Sequence, residues 1–180
     1  HERKQRLSLT SITIPGPGAP TTVEVLTDHD ALSALAVPPV LLGRRLFLGG
    51  KGITRFHLDS GERTVGEVAG NLGHVVVARY GDGLCYMSCG ERDDTRFEVG
   101  TIDAKTLQTT PLLRSPEGMP WHCQPLPAFS RDRSRLALVA HGKQQDGEVA
   151  ILVFADGKLE TALPVGRKGE VELHGVEWCP

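Results

Sequence analysis

The sequence has few aromatic residues and no long run of apolar residues. Phenylalanine, tyrosine and tryptophan make up 5% of the 180 residues. No apolar stretch approaches the about 18 residues that a membrane-spanning helix needs. Acidic and basic residues are interspersed and leave a formal net charge of -2, so the chain lacks the basic surface that nucleic-acid binding requires. We therefore expect a soluble chain that neither enters a membrane nor binds nucleic acid.

Helical periodicity is almost absent as well. The exception is "DHDALSALA", residues 28–36, where an aspartate could cap a short helix that ends before two prolines. The 39% hydrophobic and 23% charged content is that of an ordinary globular domain, and 21 glycines and 12 prolines indicate many tight turns. This profile favours an all-β fold. It does not indicate whether the protein is cytoplasmic, periplasmic or secreted.

The four cysteines do not have the spacing of a disulfide framework. Cys85 and Cys89 fall in one predicted strand, about 13 Å apart at ~3.3 Å per residue. That separation exceeds the Cα limit of about 7 Å for a bridge. We expect buried, reduced thiols, while a long-range pair that involves Cys123 or Cys179 stays open.

Short predicted strands recur in groups of four. In each group two strands flank a tight turn, as in "HVVVARY", "GDG" and "LCYMSC" at residues 74–89. Three complete groups begin near Val40, His74 and Cys123, with partial groups at both ends. Units of about 40–50 residues with four strands are typical of propeller blades, which bury their faces against neighbouring blades. In this interpretation the polar segment "SRDRS", residues 130–134, is the hairpin between the first two strands of a blade.

The phrase "PAFSRDRSRLALVA", residues 127–140, resembles the repeat of the TolB-like, or WD40-like (PD40), β-propellers. That family's repeat has an aromatic residue, then Ser-Pro-Asp-Gly, then a basic residue and an apolar strand. Residues 77–87 match in part, the closing "GVEWCP" looks like a truncated copy, and residues 1–37 show no match. Arg131 stands where the family usually has proline and Arg133 where it has glycine. The resemblance implies a fold and says little about function.

The two ends complete the predicted organisation. Residues 6–16 and 21–27 look like two strands joined by a Pro-Gly turn, and residues 170–180 align with the first strand of a blade. We divide the chain into residues 1–37, a strand pair and helical linker, and residues 38–180, the blades. We expect the blades to be part of a larger propeller, and the alternative is a small ring of four blades closed by the two ends.

Candidate binding residues lie where predicted first strands begin. His74 starts one such strand, Trp121 and His122 precede another, and His174 lies in the fourth unit, so these residues could converge on the rim of a central channel. In the loop "SPEGMPW", residues 115–121, Met119 and Trp121 would be exposed apolar anchors for a partner, unless the loop folds back over the blade interface. His57 alternates with Arg55 and Asp59 on a face expected to be solvated.

No catalytic or metal signature accompanies these residues. Closely spaced ligand pairs are absent, so a cluster of His122, Cys123, His174 and Cys179 is a weak metal candidate. No G-x-S-x-G occurs, the glycine-rich turns do not precede a helix, and Asp93 and Asp94 lie in a polar loop. We therefore predict a non-catalytic propeller scaffold without a cofactor, whose rim loops dock a protein or peptide. The alternative is the propeller portion of an enzyme, such as a peptidase substrate filter, or a channel that binds a metal or ligand.

Overall fold

A computed structural model describes residues 7–14, 21–28, 39–70, 72–90, 94–124, 126–143, 147–171, 173 and 176–178. These residues form strands, and no helix occurs among them. The strands are β1 (Leu7–Ile14), β2 (Thr21–Asp28), β3 (Val40–Leu42), β4 (Arg45–Leu48), β5 (Ile53–His57), β6 (Arg63–Gly66), β7 (Gly73–Tyr80), β8 (Gly83–Gly90), β9 (Phe97–Ile102), β10 (Thr109–Arg114), β11 (Trp121–Cys123), β12 (Ala128–Phe129), β13 (Arg135–Gly142), β14 (Glu148–Ala155) and β15 (Lys158–Arg167).

Within each sheet the strands pair in chain order, except that β11 and β12 both pair with β13. Strands β3 to β6 form the first sheet, β7 to β10 the second, and β11 to β15 the third, all antiparallel. Two-residue turns such as Gly81-Asp82 join the strands, with Gly81 at a φ of 58° that suits glycine. The all-β class and the four-stranded antiparallel groups are thereby confirmed.

The first strand of the third sheet is interrupted. Both β11 and β12 pair with β13, but Cys123 lies opposite Ala140 whereas Ala128 lies opposite Ala137, so the register shifts between them. Gln124 keeps one ladder contact, donating its backbone N–H to the oxygen of Val139 at 2.8 Å. The sequence places the start of this group near Cys123, with residues 124–127 reading "QPLP". Two prolines lie in this stretch and cannot donate to the ladder, which explains the break.

An apolar core, the first core, lies between the first and second sheets. Side chains of β3 to β5 and β7 to β9 meet there with residues of the adjoining loops. Its buried members are Val40, Phe47, Ile53, Val68, Val75, Val77, Leu84, Tyr86, Ile102 and Leu107. At one point the two backbones touch, since Gly50 and Val75 exchange two hydrogen bonds of 2.8 Å. Gly49 permits this approach, because a Cβ there would lie 2.1 Å from the carbonyl oxygen of Val75.

A second core lies between the second and third sheets. Its buried members are Met87, Phe97, Val99, Leu113, Met119, Leu136, Leu138, Ala140, Ala150, Leu152 and Phe154. Strand β8 serves both cores, because alternate side chains point to opposite faces. Leu84 and Tyr86 enter the first core and Met87 enters the second. The second sheet is therefore covered on both faces.

The hairpin that follows β12 also joins two sheets. Asp132 accepts hydrogen bonds from the hydroxyls of Ser130 (2.6 Å) and Ser134 (2.9 Å), which hold the turn. Arg133 has a φ of 64°, the left-handed conformation for which the resembled repeat uses glycine. Its guanidinium lies 4.6 Å from the ring centre of Tyr80, and that ring meets Phe129 edge-on at 4.5 Å. The predicted hairpin is confirmed, and it packs on the hairpin of the preceding sheet.

The ends are only partly described. Strands β1 and β2 form the predicted antiparallel pair, while the proposed turn at 15–20 and the proposed helix beyond Asp28 lie outside the described residues. At the other end, Trp178 donates its indole N–H to the carbonyl of Ala128 at 2.9 Å. Neither core joins the first sheet to the third among the described side chains. Within the described part of the chain, no helix is long and apolar enough to span a bilayer.

Candidate functional site

Three of the predicted binding residues lie at the starts of β7 and β11, the edge strands of their sheets. His74 is the second residue of β7 and lies opposite Cys89, while Trp121 and His122 open β11 opposite Gly142 and His141. All three are half-buried. Both strands begin directly after a connection between successive sheets, so we call these three residues the strand-start group. The fourth predicted residue, His174, lies outside the described residues.

His122 lies opposite His141, which was not among the predicted site residues. Burial, then the charges of Lys168 and His122, lower the pKa of His141 below its ordinary value. The side-chain nitrogen of Gln124 lies 3.0 Å from Nε2 of His141 and donates to the carbonyl of Leu173 at 2.9 Å. Nδ1 of His141 is buried without a hydrogen-bond partner. A neutral imidazole that accepts at Nε2 fits this arrangement, which ties β11 and β13 to the segment after β15.

Met119 is buried, which corrects the prediction that it is an exposed anchor. Its side chain is 5% exposed and belongs to the second core. Hydrogen bonds fix the loop at residues 115–121 in two places. Thr95 donates its hydroxyl to the carbonyl of Met119 at 2.8 Å, and Ser115 exchanges hydrogen bonds with the backbone of Phe97. Trp121 also packs against this core. The loop therefore folds back over the interface between the second and third sheets, which was the alternative to an exposed loop.

The second sheet contains a buried polar cluster that was not predicted from the sequence. The hydroxyl of Tyr86 donates to Glu98 at 2.6 Å, and the guanidinium of Arg114 donates to the other carboxylate oxygen at 2.7 Å. Tyr86 and Glu98 are buried, whereas Arg114 is largely exposed. Burial, then the contact with Glu98, raise the pKa of Tyr86 above its usual range. The available signal was the single acidic residue inside the apolar strand "FEVGTI".

Gly100 makes room for this cluster. A Cβ at Gly100 would lie 2.5 Å from a ring carbon of Tyr86 and 2.4 Å from the carbonyl of Thr110. The carboxylate of Glu98 is buried and binds Tyr86 through one oxygen and Arg114 through the other. The cluster can fix the position of strands β8 to β10.

The remaining polar candidates form surface contacts. Asp94 forms an ion pair with Arg96, and the hydrogen bonds from Arg96 lower the pKa of the Asp94 carboxyl to about 2. Arg44 forms an ion pair with Asp59. Asp93 lies outside the described residues. His57 is half-buried with Nδ1 unpartnered, which corrects its placement on a solvated face. Among the described residues, no group of three histidine, cysteine or acidic side chains is placed to hold a metal.

A shallow hollow of about 580 Å³ lies beside the last strand. Its walls are Glu148, Pro164, Val165, Gly166, Arg167 and Glu170. Strand β15 is exposed along almost its whole length, with Leu163 and Val165 among its solvent-facing apolar side chains. The hollow is open and lined by solvated charges, so it does not isolate a reacting group from water.

The comparisons with known proteins give no family assignment. No family model matches the chain, and no curated protein matches it. A similar solved structure is the oligogalacturonate lyase of Vibrio parahaemolyticus, with 12% sequence identity and a TM-score of 0.46. The alignment covers 87% of this chain and 47% of that one, so the chain spans about half the length of the protein it matches.

Proposed function

We propose that the three sheets are blades of a β-propeller, of the kind that the TolB-like repeat resemblance implies, and that the blades act as a non-catalytic interaction scaffold. The loops and strand starts at one edge of the blades would dock a protein or peptide. In this proposal further blades of the same polypeptide complete the propeller.

The observation that carries the proposal is the stacking of like sheets. Two apolar cores hold three antiparallel sheets of the same strand order face to face. A partner that contacts two neighbouring sheets therefore meets groups at a fixed separation, and binding does not require these groups to become ordered first. The hydrogen bonds at Thr95 and Ser115 add to this rigidity, because they fix the loop that connects the second sheet to the third.

The strand-start group is the surface to which we assign docking. Trp121 supplies a half-buried aromatic face, and His74 and His122 supply polar groups on consecutive sheets. Aromatic anchors held by a packed surround are the residues that dominate binding energy in protein interfaces. Met119 has no direct role in this surface, and it supports the surface from below through the second core.

The test is selection of binding peptides. A random peptide library displayed on phage is panned on the immobilised chain, and selected peptides are synthesised and titrated. We expect binding that weakens at least tenfold in the variant Trp121→Ala with His122→Ala. The matched control is Arg131→Ala, an exposed residue of the hairpin after β12, which should leave binding unchanged.

Two outcomes would contradict the proposal. Peptides that fail to enrich, or that bind the double variant as tightly as the unaltered chain, would remove the docking role. Circular dichroism of the variants must match that of the unaltered chain, because Trp121 also contacts the second core. Consistent turnover of a peptide or glycan substrate by the chain would support the enzyme alternative instead.

A further inference from the structure

Two cysteines from different sheets face the same interface. Cys89 lies next to the end of β8 and opposite Phe97 of the second core, while Cys123 ends β11 and lies opposite Ala140 of that core. Both side chains are half-buried and pack against the second core. Cys85 lies on β8 too, but it is fully buried and its thiol is directed to the carbonyls of Ala78 and Arg79.

Strand geometry directs both thiols towards the interface between the second and third sheets. Cys89 lies two residues from Met87 on β8, so the two side chains share the face that meets the second core. Cys123 lies opposite Ala140, another member of that core, across the pair β11–β13. A disulfide requires Cα atoms within about 7 Å, and this is the geometry that a cross-link would demonstrate.

The electrostatics of the thiols agree with this placement. Burial is the main cause that raises the pKa of Cys123, and the neighbouring Cys89 raises it further. One thiolate disfavours another only across a short distance of low dielectric. Burial is the main cause that raises the pKa of Cys85 to about 12.

We propose that Cys89 and Cys123 form a reversible disulfide that links the second sheet to the third. The three described cysteines are reduced in this structure, so the proposal concerns an oxidised form of the same fold. The bond would add a covalent link between two sheets that non-covalent contacts now hold together.

The oxidant would be a low-molecular-weight disulfide such as oxidised glutathione. The thiolate of Cys89 attacks one sulfur of the oxidant, releases a thiol and forms a mixed disulfide. The thiolate of Cys123 then attacks the Cys89 sulfur and releases the second thiol. The two protein thiols lose two electrons and two protons, and the oxidant is reduced to two thiols.

Burial makes the exchange slow near neutral pH. It raises the pKa of Cys89 to about 12, so the thiolate is scarce at pH 7 and its fraction rises about tenfold per pH unit. We therefore expect the rate of disulfide formation to rise steeply between pH 7 and pH 9. Once formed, the bond should be similarly slow to reduce unless the sheets separate.

The experiment is peptide mapping of the full chain after incubation with oxidised glutathione at pH 8.5. Remaining thiols are alkylated, the protein is digested without reduction, and cross-linked peptides are identified by mass spectrometry. We expect a peptide that joins Cys89 to Cys123 and a thermal midpoint raised by several degrees, both reversed by a reducing agent. Mixed glutathione adducts alone, or links to Cys85 or Cys179 instead, would overturn the proposal.

Variants separate the pair from general thiol oxidation. Cys123→Ser should abolish the linked peptide and the rise in midpoint, whereas Cys85→Ser, the matched control on β8, should retain both. If Cys123→Ser does not fold, the map of the unaltered chain decides alone. A rise in midpoint that persists in a folded Cys123→Ser variant would also refute the proposal.

Discussion

The two cores of this chain join similar sheets with different chemistry. The first core holds a buried tyrosine and glutamate beside its apolar side chains, and its sheets touch through a backbone bridge at Gly50 and Val75. The second core is built from apolar side chains, with Phe97 and Phe154 edge-on at 5.7 Å and Met119 inserted from a loop. Similar sheets can therefore be stacked either by a close backbone approach or by large side chains.

This difference predicts different responses to mutation. Where large side chains fill the space between sheets, the removal of one ring leaves a cavity. Where glycine lets backbones meet, the addition of one methyl group pushes the sheets apart. The buried polar cluster adds a third sensitivity, because its groups stabilise only when each has a partner.

Truncation of Phe154 should produce the largest loss. Phe154→Ala empties a fully packed position of the second core, and such changes cost about 3–5 kcal/mol. Phe56→Ala is the matched control, since Phe56 is half-buried and belongs to neither core. Urea denaturation should place the midpoint of Phe154→Ala well below that of Phe56→Ala. Equal losses would mean that the second core does not hold the third sheet.

The interface between the first and second sheets should be most sensitive to substitution at Gly49. Gly49→Ala places a Cβ 2.1 Å from the carbonyl oxygen of Val75, which backbone atoms cannot avoid without movement. We expect a loss of about 1–3 kcal/mol from the resulting separation. Gly83→Ala is the control, because its Cβ would meet its nearest neighbour at an ordinary 3.5 Å. Amide hydrogen exchange should show faster exchange of Val75 in Gly49→Ala only.

Tyr86→Phe tests the buried polar cluster. The change leaves one oxygen of Glu98 without its donor and should cost about 1–3 kcal/mol at pH 7. The folded chain raises the pKa of Tyr86 above its unfolded value, so the stabilisation is present below about pH 10 and is lost as the pH rises further. The stability difference between the two proteins should therefore stay constant up to about pH 10 and shrink as the pH rises above that value. A difference that also stayed constant above that value would contradict the buried contact.

Divalent metals should have the smallest effect. Addition of zinc or nickel to the reduced chain should leave the thermal midpoint unchanged, because no cluster of three ligands is placed for a metal among the described residues. Two thiols lie at the interface between the second and third sheets, and His74 lies opposite one of them, Cys89. A metal that did bind would be expected at this interface. A rise of several degrees would favour the alternative of a channel that binds a metal or ligand.

The strand groups could be predicted because their signals are local. Alternating side chains and glycine-aspartate turns placed the sheets near Val40, His74 and Cys123, and they begin at Val40, Gly73 and Trp121. The hairpin at residues 130–134 was found in the same way. Arg133 adopts the left-handed turn conformation at the position where the resembled repeat has glycine.

The site could be predicted only in part, because burial depends on which sheets meet. The sequence of the loop before β11 suits an exposed anchor and a core residue equally, and only packing against the second core decides that Met119 is buried. The contact between Tyr86 and Glu98 depends on the register of two strands, which no local pattern specifies. His141 was missed for the same reason, since its hydrogen-bond partner Gln124 and the nearby charge of Lys168 come from separate segments of the chain.

The pairing of strands within each sheet has a consequence during synthesis. Every sheet can fold as soon as its own residues have left the ribosome, because no strand waits for a distant partner. Its outer apolar face, however, stays uncovered until the next sheet is made. At about 5–20 residues per second, the roughly 40 residues of a following unit take a few seconds. In that interval the nascent chain exposes an apolar sheet face. We expect chaperones to bind this face each time a new sheet is synthesised.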